Sequence, residues 1–198
     1  MIFTNKKFIF VHLPKTGGST LRYLLAKCQR PVLGNNINTK LGMHFKLFQV
    51  PITYPELDMN EYTVLVVKRP PWERLASLFV MGHRAYDMGR IPNRTNDRAV
   101  DYFTRVGCKE LFLRTISIDG QVHPRIHALD FNNYEHDIRH FFSTELNKDL
   151  GNLPTIGKRP ESKYRELYLS TLADKEFMDL AVSNSQEEIA YFGYTIPS

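Results

Sequence analysis

The first readable pattern along the chain is FIFVHL, residues 8 to 13, a short aromatic and β-branched run of strand type. Leu21, Leu24, Leu25 and Cys28 then recur at the spacing of one buried helical face. The pattern predicts a strand, a tight turn and a helix. The plan repeats at EYTVLVV, residues 61 to 67, a near-continuous apolar run of the kind found in strands buried on both faces, which favours a parallel sheet between helices. This run ends in KRPP, where Pro71 suits a first helical turn and Trp72, Leu75 and Phe79 fall at helical spacing.

Further on, the pattern predicts a helix from Asp97 to about Ile116, a strand in RIHALDF and a helix in YEHDIRHFF. From about Tyr164 to Tyr191 the chain reads as mostly helical, with Leu172, Phe177, Leu180 and Ala181 as core positions. Arg30 to Gly42 reads as a loop, MHFKLFQVP as an irregular segment near the first turn, and NKDLGNLPTIGKRPES as a polar connection. The basic, turn-rich stretch from His83 to Val100 has two readings, a mobile cover over a site or an ordinary surface excursion.

The junction HLPKTGGST carries the first candidate chemistry. Gly17 and Gly18 let the backbone turn and approach a ligand closely, while Ser19 and Thr20 can cap the helix and offer hydroxyls. The N–H groups at a helix start attract an anion, and Lys15 adds a positive charge just upstream, so the junction suits phosphate or sulfate. The alternative is a structural turn with a solvated Lys. The nucleotide-triphosphatase loop places its Lys after the second Gly, whereas Lys15 precedes both glycines, and no Asp-Phe-Gly or His-Arg-Asp element is present.

The second junction, VLVVKRPPWERLASLF, places Arg69 at the carboxyl end of its strand. Arg74 and Ser77, three residues apart on the helix, are expected to face away from the Trp72, Leu75, Phe79 stripe. In doubly wound sheets ligands sit beyond the carboxyl ends of strands, so two such junctions side by side suit a ligand with two separated phosphate groups. The alternative is an Arg that caps a sheet edge and a Ser that merely sits on a helix.

With 198 residues, 42% of them hydrophobic, the chain can bury a real core, and one domain is the natural count. A net charge of +5 favours acidic partners: a phosphorylated nucleotide, an acidic glycan or nucleic acid. The interleaved aromatic and basic residues of nucleic-acid motifs are absent, so no nucleic-acid partner is expected. Cys28, on the apolar face of the first helix, reads as a buried thiol rather than half of a disulfide with Cys108. No 18-residue apolar segment or signal-peptide pattern occurs, which makes no membrane segment and a cytoplasmic location the expectation, and leaves the sequon Asn93-Arg94-Thr95 without meaning.

PKTGGST after one apolar strand, followed by R-x-P-x-x-R-x-x-S after a second, resembles the carbohydrate sulfotransferases of the membrane-bound heparan and chondroitin type. From the first motif to the end of the second, the resemblance spans about a third of the chain. HPRIHALDFNNYEHD is similar to the family's later strand and acidic helix start, and LPTIGKRPESKYRELY followed by IAYFGY to its closing region. The resemblance implies a three-layer, P-loop-like α/β fold with a central mainly parallel sheet flanked by helices, in one sulfotransferase domain over residues 1–198. It also implies 3′-phosphoadenosine 5′-phosphosulfate as co-substrate, and a hydroxyl acceptor, in the first place a carbohydrate.

By that resemblance Lys15, Thr16, Gly17, Gly18, Ser19 and Thr20 hold the 5′-phosphosulfate end, and Arg69 and Ser77 hold the 3′-phosphate. Arg74 matches a recurring position, and Lys158 and Arg159 fall in the region that covers the nucleotide. Pro70 stands where relatives carry Asp or Asn after the Arg.

Sulfuryl transfer needs a base for the acceptor hydroxyl, a cation at the leaving phosphate and in-line placement of both substrates. Lys15 suits the leaving phosphate. His44 lies between the two motifs, where uronyl-type relatives carry a Gly-His pair with the catalytic base; Met43 replaces that Gly. His44 is therefore the expected base, with Glu56, Asp58 and Glu61 in reserve because other relatives use Glu, and His12 is expected to steady the turn. His136 with His140, and His123 with His127, lack further ligands at a metal-site spacing, so no metal is expected. The acceptor pocket is expected from loops such as Ile91 to Val100. Two rival readings remain: a nucleotide-dependent phosphotransferase, which would need ATP and magnesium, and a non-catalytic binder of nucleotide or acidic glycan.

Overall fold

The computed structural model of the chain describes residues 1–28, 41–42, 44–90, 98–107, 112–153 and 162–197. In chain order these form β1 (Ile2–Phe3), β2 (Phe8–Phe10), α1 (Gly18–Cys28), α2 (Gln49–Thr53), β3 (Thr63–Lys68), α3 (Pro71–Asp87), α4 (Ala99–Val106), α5 (Phe112–Thr115), β4 (Ser117–Ile118), β5 (Gln121–Val122), β6 (Ile126–Asp130), α6 (Tyr134–Leu146), α7 (Ser162–Ala173), α8 (Lys175–Ser183) and α9 (Gln186–Phe192). The protein is α/β, with a mixed, mostly parallel sheet of order β1-β2-β3-β6 flanked by helices. Its residues fall into two compact units, Met1–Lys68 with Leu111–Ile156, and Arg69–Glu110 with Gly157–Ser198.

The first unit holds the four-stranded sheet. β2 pairs in parallel with β3 (Ile9 opposite Val64), and β3 in parallel with β6 (Val66 opposite Ala128). Alternation sends Phe8, Phe10, Leu65, Val67 and Leu129 to one face, where they meet Leu21, Leu24 and Leu25 of α1 and Ile138, Phe141 and Phe142 of α6. Each such side chain contributes about 1.5–3 kcal/mol of burial, enough to fix the register, because a one-residue slip would turn the whole set to the opposite face. Ile9, Val64 and Val66 point the other way and are buried as well, the two-sided burial expected of the EYTVLVV strand. Because β2, β3 and β6 run in parallel, the glycine turn after β2 and the ends of β3 and β6 share the carboxyl edge of this sheet.

The second unit is helical. α3 packs on α7 and α8, and α4 on α8, around Trp72, Leu75, Phe79, Phe103, Phe177 and Ala181. Pro71 stands at the start of α3, as its missing N–H and fixed φ favour. Leu172 and Leu180 pack at the margin of this cluster.

Several elements differ from the sequence expectation. The helix expected from Asp97 to Ile116 is instead α4 and α5, since Gly107 at φ +84° ends α4. α3 continues to Asp87, through the first residues of the expected turn-rich stretch, and residues 91–97 lie outside the described residues. The irregular segment after His44 contains the short helix α2. Antiparallel β1 and the β4–β5 hairpin were not expected. Cys28 is a half-buried free thiol packed against the core. Among the described residues no helix is long and apolar enough to cross a membrane.

Candidate functional site

The turn between β2 and α1 is built from left-handed residues and tight packing. Lys15 has φ +65° and Gly17 φ +82°, and such backbone turns successive N–H groups toward one side, the geometry of anion-binding nests. A non-glycine residue in this region is strained by about 1–3 kcal/mol and persists only where the surroundings determine it. Here they do. The buried Thr16 hydroxyl donates to the Leu13 carbonyl oxygen at 3.0 Å, the Thr20 N–H donates to the Gly17 carbonyl at 3.1 Å, and the Tyr134 hydroxyl donates to that same carbonyl.

Gly18 is required by a protein contact, and Gly17 by its φ of +82° together with tight packing. A Cβ at Gly17 would lie 3.0 Å from Cε2 of Phe131 and 3.3 Å from Cζ of Tyr134. A Cβ at Gly18 would lie 2.2 Å from Cδ2 of His12, closer than any side chain tolerates. Gly18 and Ser19 open α1, where N–H groups have no partner within the helix. Ser19 is exposed, and Lys15 and Thr20 are half-buried.

His12 forms the floor of this turn. Its ring is 7% exposed, lies 5.9 Å from Phe10 and 4.7 Å from His44 (centroid to centroid), and abuts Gly18. Burial, reinforced by the neighbouring His44 and Arg22, lowers its pKa from 6.5 to about 4, so the ring is neutral near pH 7. His44 reaches the same place from 32 residues away. Its side chain is exposed to solvent, and its Nδ1 lies 3.0 Å from the His12 carbonyl oxygen. A carbonyl only accepts, so Nδ1 carries the proton and Nε2 of the neutral ring is the acceptor. The sequence anticipated His12 as a support of the turn; that it would meet His44 was not legible.

The reserve carboxylates lie elsewhere in this unit. Asp58 accepts from the Asn60 N–H and caps the 3-10 turn Met59–Glu61 that leads into β3, and Glu61 pairs with Lys7, just before β2, at 2.6 Å. Glu56 is exposed one turn earlier. All three precede β3, so Glu61 and its Lys7 partner mark the amino edge of the parallel strands, while the glycine turn and His44 stand at the carboxyl edge.

In the second unit, Arg69 is 11% exposed; its Nε donates to Glu73 at 3.0 Å and its Nη2 to the Tyr168 hydroxyl at 2.9 Å. Glu73 and Ser77 are one turn apart on α3, and Ser77 is half-buried. Arg74 does not face away from the apolar stripe as its spacing suggested. It is 1% exposed and forms a bidentate pair with Glu188, both contacts at 2.7 Å, while also donating to the Arg69 carbonyl oxygen at 3.1 Å. Burial raises the Glu188 pKa, and Arg74 opposes that rise. Arg74 therefore holds this unit's fold and its Arg69 backbone.

Lys158, Arg159, Met43 and Cys108 lie outside the described residues, as do residues 91–97 with their sequon. His136 and His140 stack at 6.3 Å, and no group of three or more metal-ligating side chains occurs among the described residues. No protein-family model, curated protein or solved structure matches the chain.

Proposed function

We propose that the chain is a sulfotransferase that moves the sulfuryl group from 3′-phosphoadenosine 5′-phosphosulfate directly to a hydroxyl, with a carbohydrate as the acceptor class that the two sequence motifs imply. The fold that goes with this reading is three-layered and P-loop-like. The observation that carries it is the convergence of the glycine turn and His44: an anion-suited backbone and an imidazole with its Nε2 lone pair available, joined through His12.

In this mechanism the donor's 5′-phosphosulfate lies on the N–H groups of the 15–20 turn, with Lys15 beside the bridging oxygen. Nε2 of His44 takes the acceptor hydroxyl proton as that oxygen attacks sulfur. The bond from sulfur to the 5′-phosphate oxygen breaks in line, and the electron pair leaves on 3′-phosphoadenosine 5′-phosphate, whose charge Lys15 offsets. Arg69 and Ser77 are assigned to the 3′-phosphate by their motif; in that role Arg69 acts with a guanidinium already held by Glu73 and Tyr168. The placement of Asp58 and Glu61 at the amino edge supports His44 over them as the base.

The test is acceptor-dependent release of 3′-phosphoadenosine 5′-phosphate, measured with desulfated glycosaminoglycan chains. Turnover in the wild type that is lost in His44→Ala, with nucleotide binding retained, is the expected result. A His44→Ala variant that turns over normally would remove the proposed base.

A further inference from the structure

We propose that Tyr134 is a positioning residue that presets the anion-binding turn from α6, so that the cradle exists before any ligand arrives. The proposal rests on the reading of residues 15–20 as the 5′-phosphosulfate site. Tyr134 is the first residue of α6 and stands 117 residues from the turn, yet its hydroxyl donates to the Gly17 carbonyl oxygen. The Leu21 N–H and the Thr20 side chain, in the first turn of α1, also act on the phenol and pull its pKa down. One side chain thus ties together the last residue of the turn and the first turn of α1.

The ring itself does the rest of the positioning. With Phe131, whose ring lies 5.9 Å from that of Tyr134, it fills the space where any side chain at residue 17 would go. This tight contact adds to the φ of +82° in favouring glycine at residue 17, two positions after Lys15 at φ +65°. Burial raises the Tyr134 pKa to about 12 against the pull of the Leu21 and Thr20 donors, so the phenol remains a hydrogen-bond donor throughout the working pH range.

A turn with two left-handed residues would otherwise sample other conformers, and a ligand binding the minor competent form binds more weakly in proportion to its population. Holding the cradle in place removes that loss, and its effect is confined to ligands that touch the cradle.

The experiment compares wild type and Tyr134→Phe by calorimetric titration with two probes: 3′-phosphoadenosine 5′-phosphate, and adenosine 3′-phosphate, which has no group for the turn. Tyr134→Phe keeps the ring and removes the hydroxyl. The expected result is a loss of about fivefold to tenfold in affinity for the first probe with the second within about twofold, and a melting temperature lowered by at most a few degrees. Equal weakening of both probes, or no weakening of either, would overturn the positioning role while leaving the site reading intact. A wild type that does not prefer the probe with the 5′-phosphate would overturn the site reading and this inference together. A second variant, Phe131→Leu, removes aromatic packing beside Gly17 without touching the hydroxyl, and is expected to weaken the first probe selectively as well.

Discussion

Nδ1 of His44 lies 3.0 Å from the carbonyl oxygen of His12, and this contact sets which ring nitrogen of His44 is available for chemistry. If Nε2 is the base, the hydrogen bond alone is not enough. His44→Asn keeps an N–H donor near the Nδ1 position, so it should hold the segment in place while sulfuryl transfer falls by about 10²–10⁴-fold, the usual worth of a general base. Initial-rate measurements at saturating donor, beside a titration showing unchanged nucleotide affinity, test this.

The contact between Gly18 and His12 makes a stability prediction. Gly18→Ala puts a methyl 2.2 Å from Cδ2 of His12 and should destabilise the protein by about 1–3 kcal/mol, as overpacked cores do. His12→Ala removes the obstruction, so the double variant should lose less than the sum of the two single losses. Urea unfolding of the four proteins gives the coupling energy directly; strict additivity would show that the two positions do not meet.

Stability should fall in acid through His12. Its pKa is about 4 in the folded chain against 6.5 unfolded, so below pH 6.5 the unfolded chain binds a proton that the folded chain does not. The contribution is fully present above pH 6.5 and is lost as pH falls through 4, up to about 3 kcal/mol. Denaturation at pH 7 and pH 4 should show this loss in the wild type and a smaller one in His12→Phe. An equal loss in both would place the acid sensitivity elsewhere.

In the second unit, Arg74 and Glu188 stand or fall together. Arg74→Ala leaves a buried carboxylate without its partner and should cost about 3–5 kcal/mol, whereas Arg74→Met with Glu188→Leu should lie much closer to the wild type. Melting temperatures of the single and double variants decide it.

The Arg74 pair also marks where sequence reading stops. Apolar period revealed β3, α3 and α6 because their burial follows local spacing: Val64 to Val67 are buried on both faces of the sheet, and Trp72, Leu75 and Phe79 form one stripe. Arg74 sits off that stripe, and its burial is explained by Glu188, 114 residues away. The same holds for Tyr134 on Gly17 and His44 on His12, contacts that no local pattern encodes. The β4–β5 hairpin did carry a signal, the pair Asp119-Gly120, whose φ angles of +51° and +80° suit the tight turns joining antiparallel strands. Its two-residue strands were too short to show alternation. The turn at Lys15 to Thr20 was legible as a turn whose glycines suit a close ligand; that they also make room for His12, Phe131 and Tyr134 was not encoded locally.

A calorimetric titration with 3′-phosphoadenosine 5′-phosphate, without magnesium, against AMP and ATP, tests the donor site at both of its ends. Tight binding that depends on the 3′-phosphate and is weakened in Arg69→Ala is the expected result, since both phosphate ends are then recognised. Binding no tighter than that of AMP would contradict the account and favour a chain that binds anions without sulfuryl transfer.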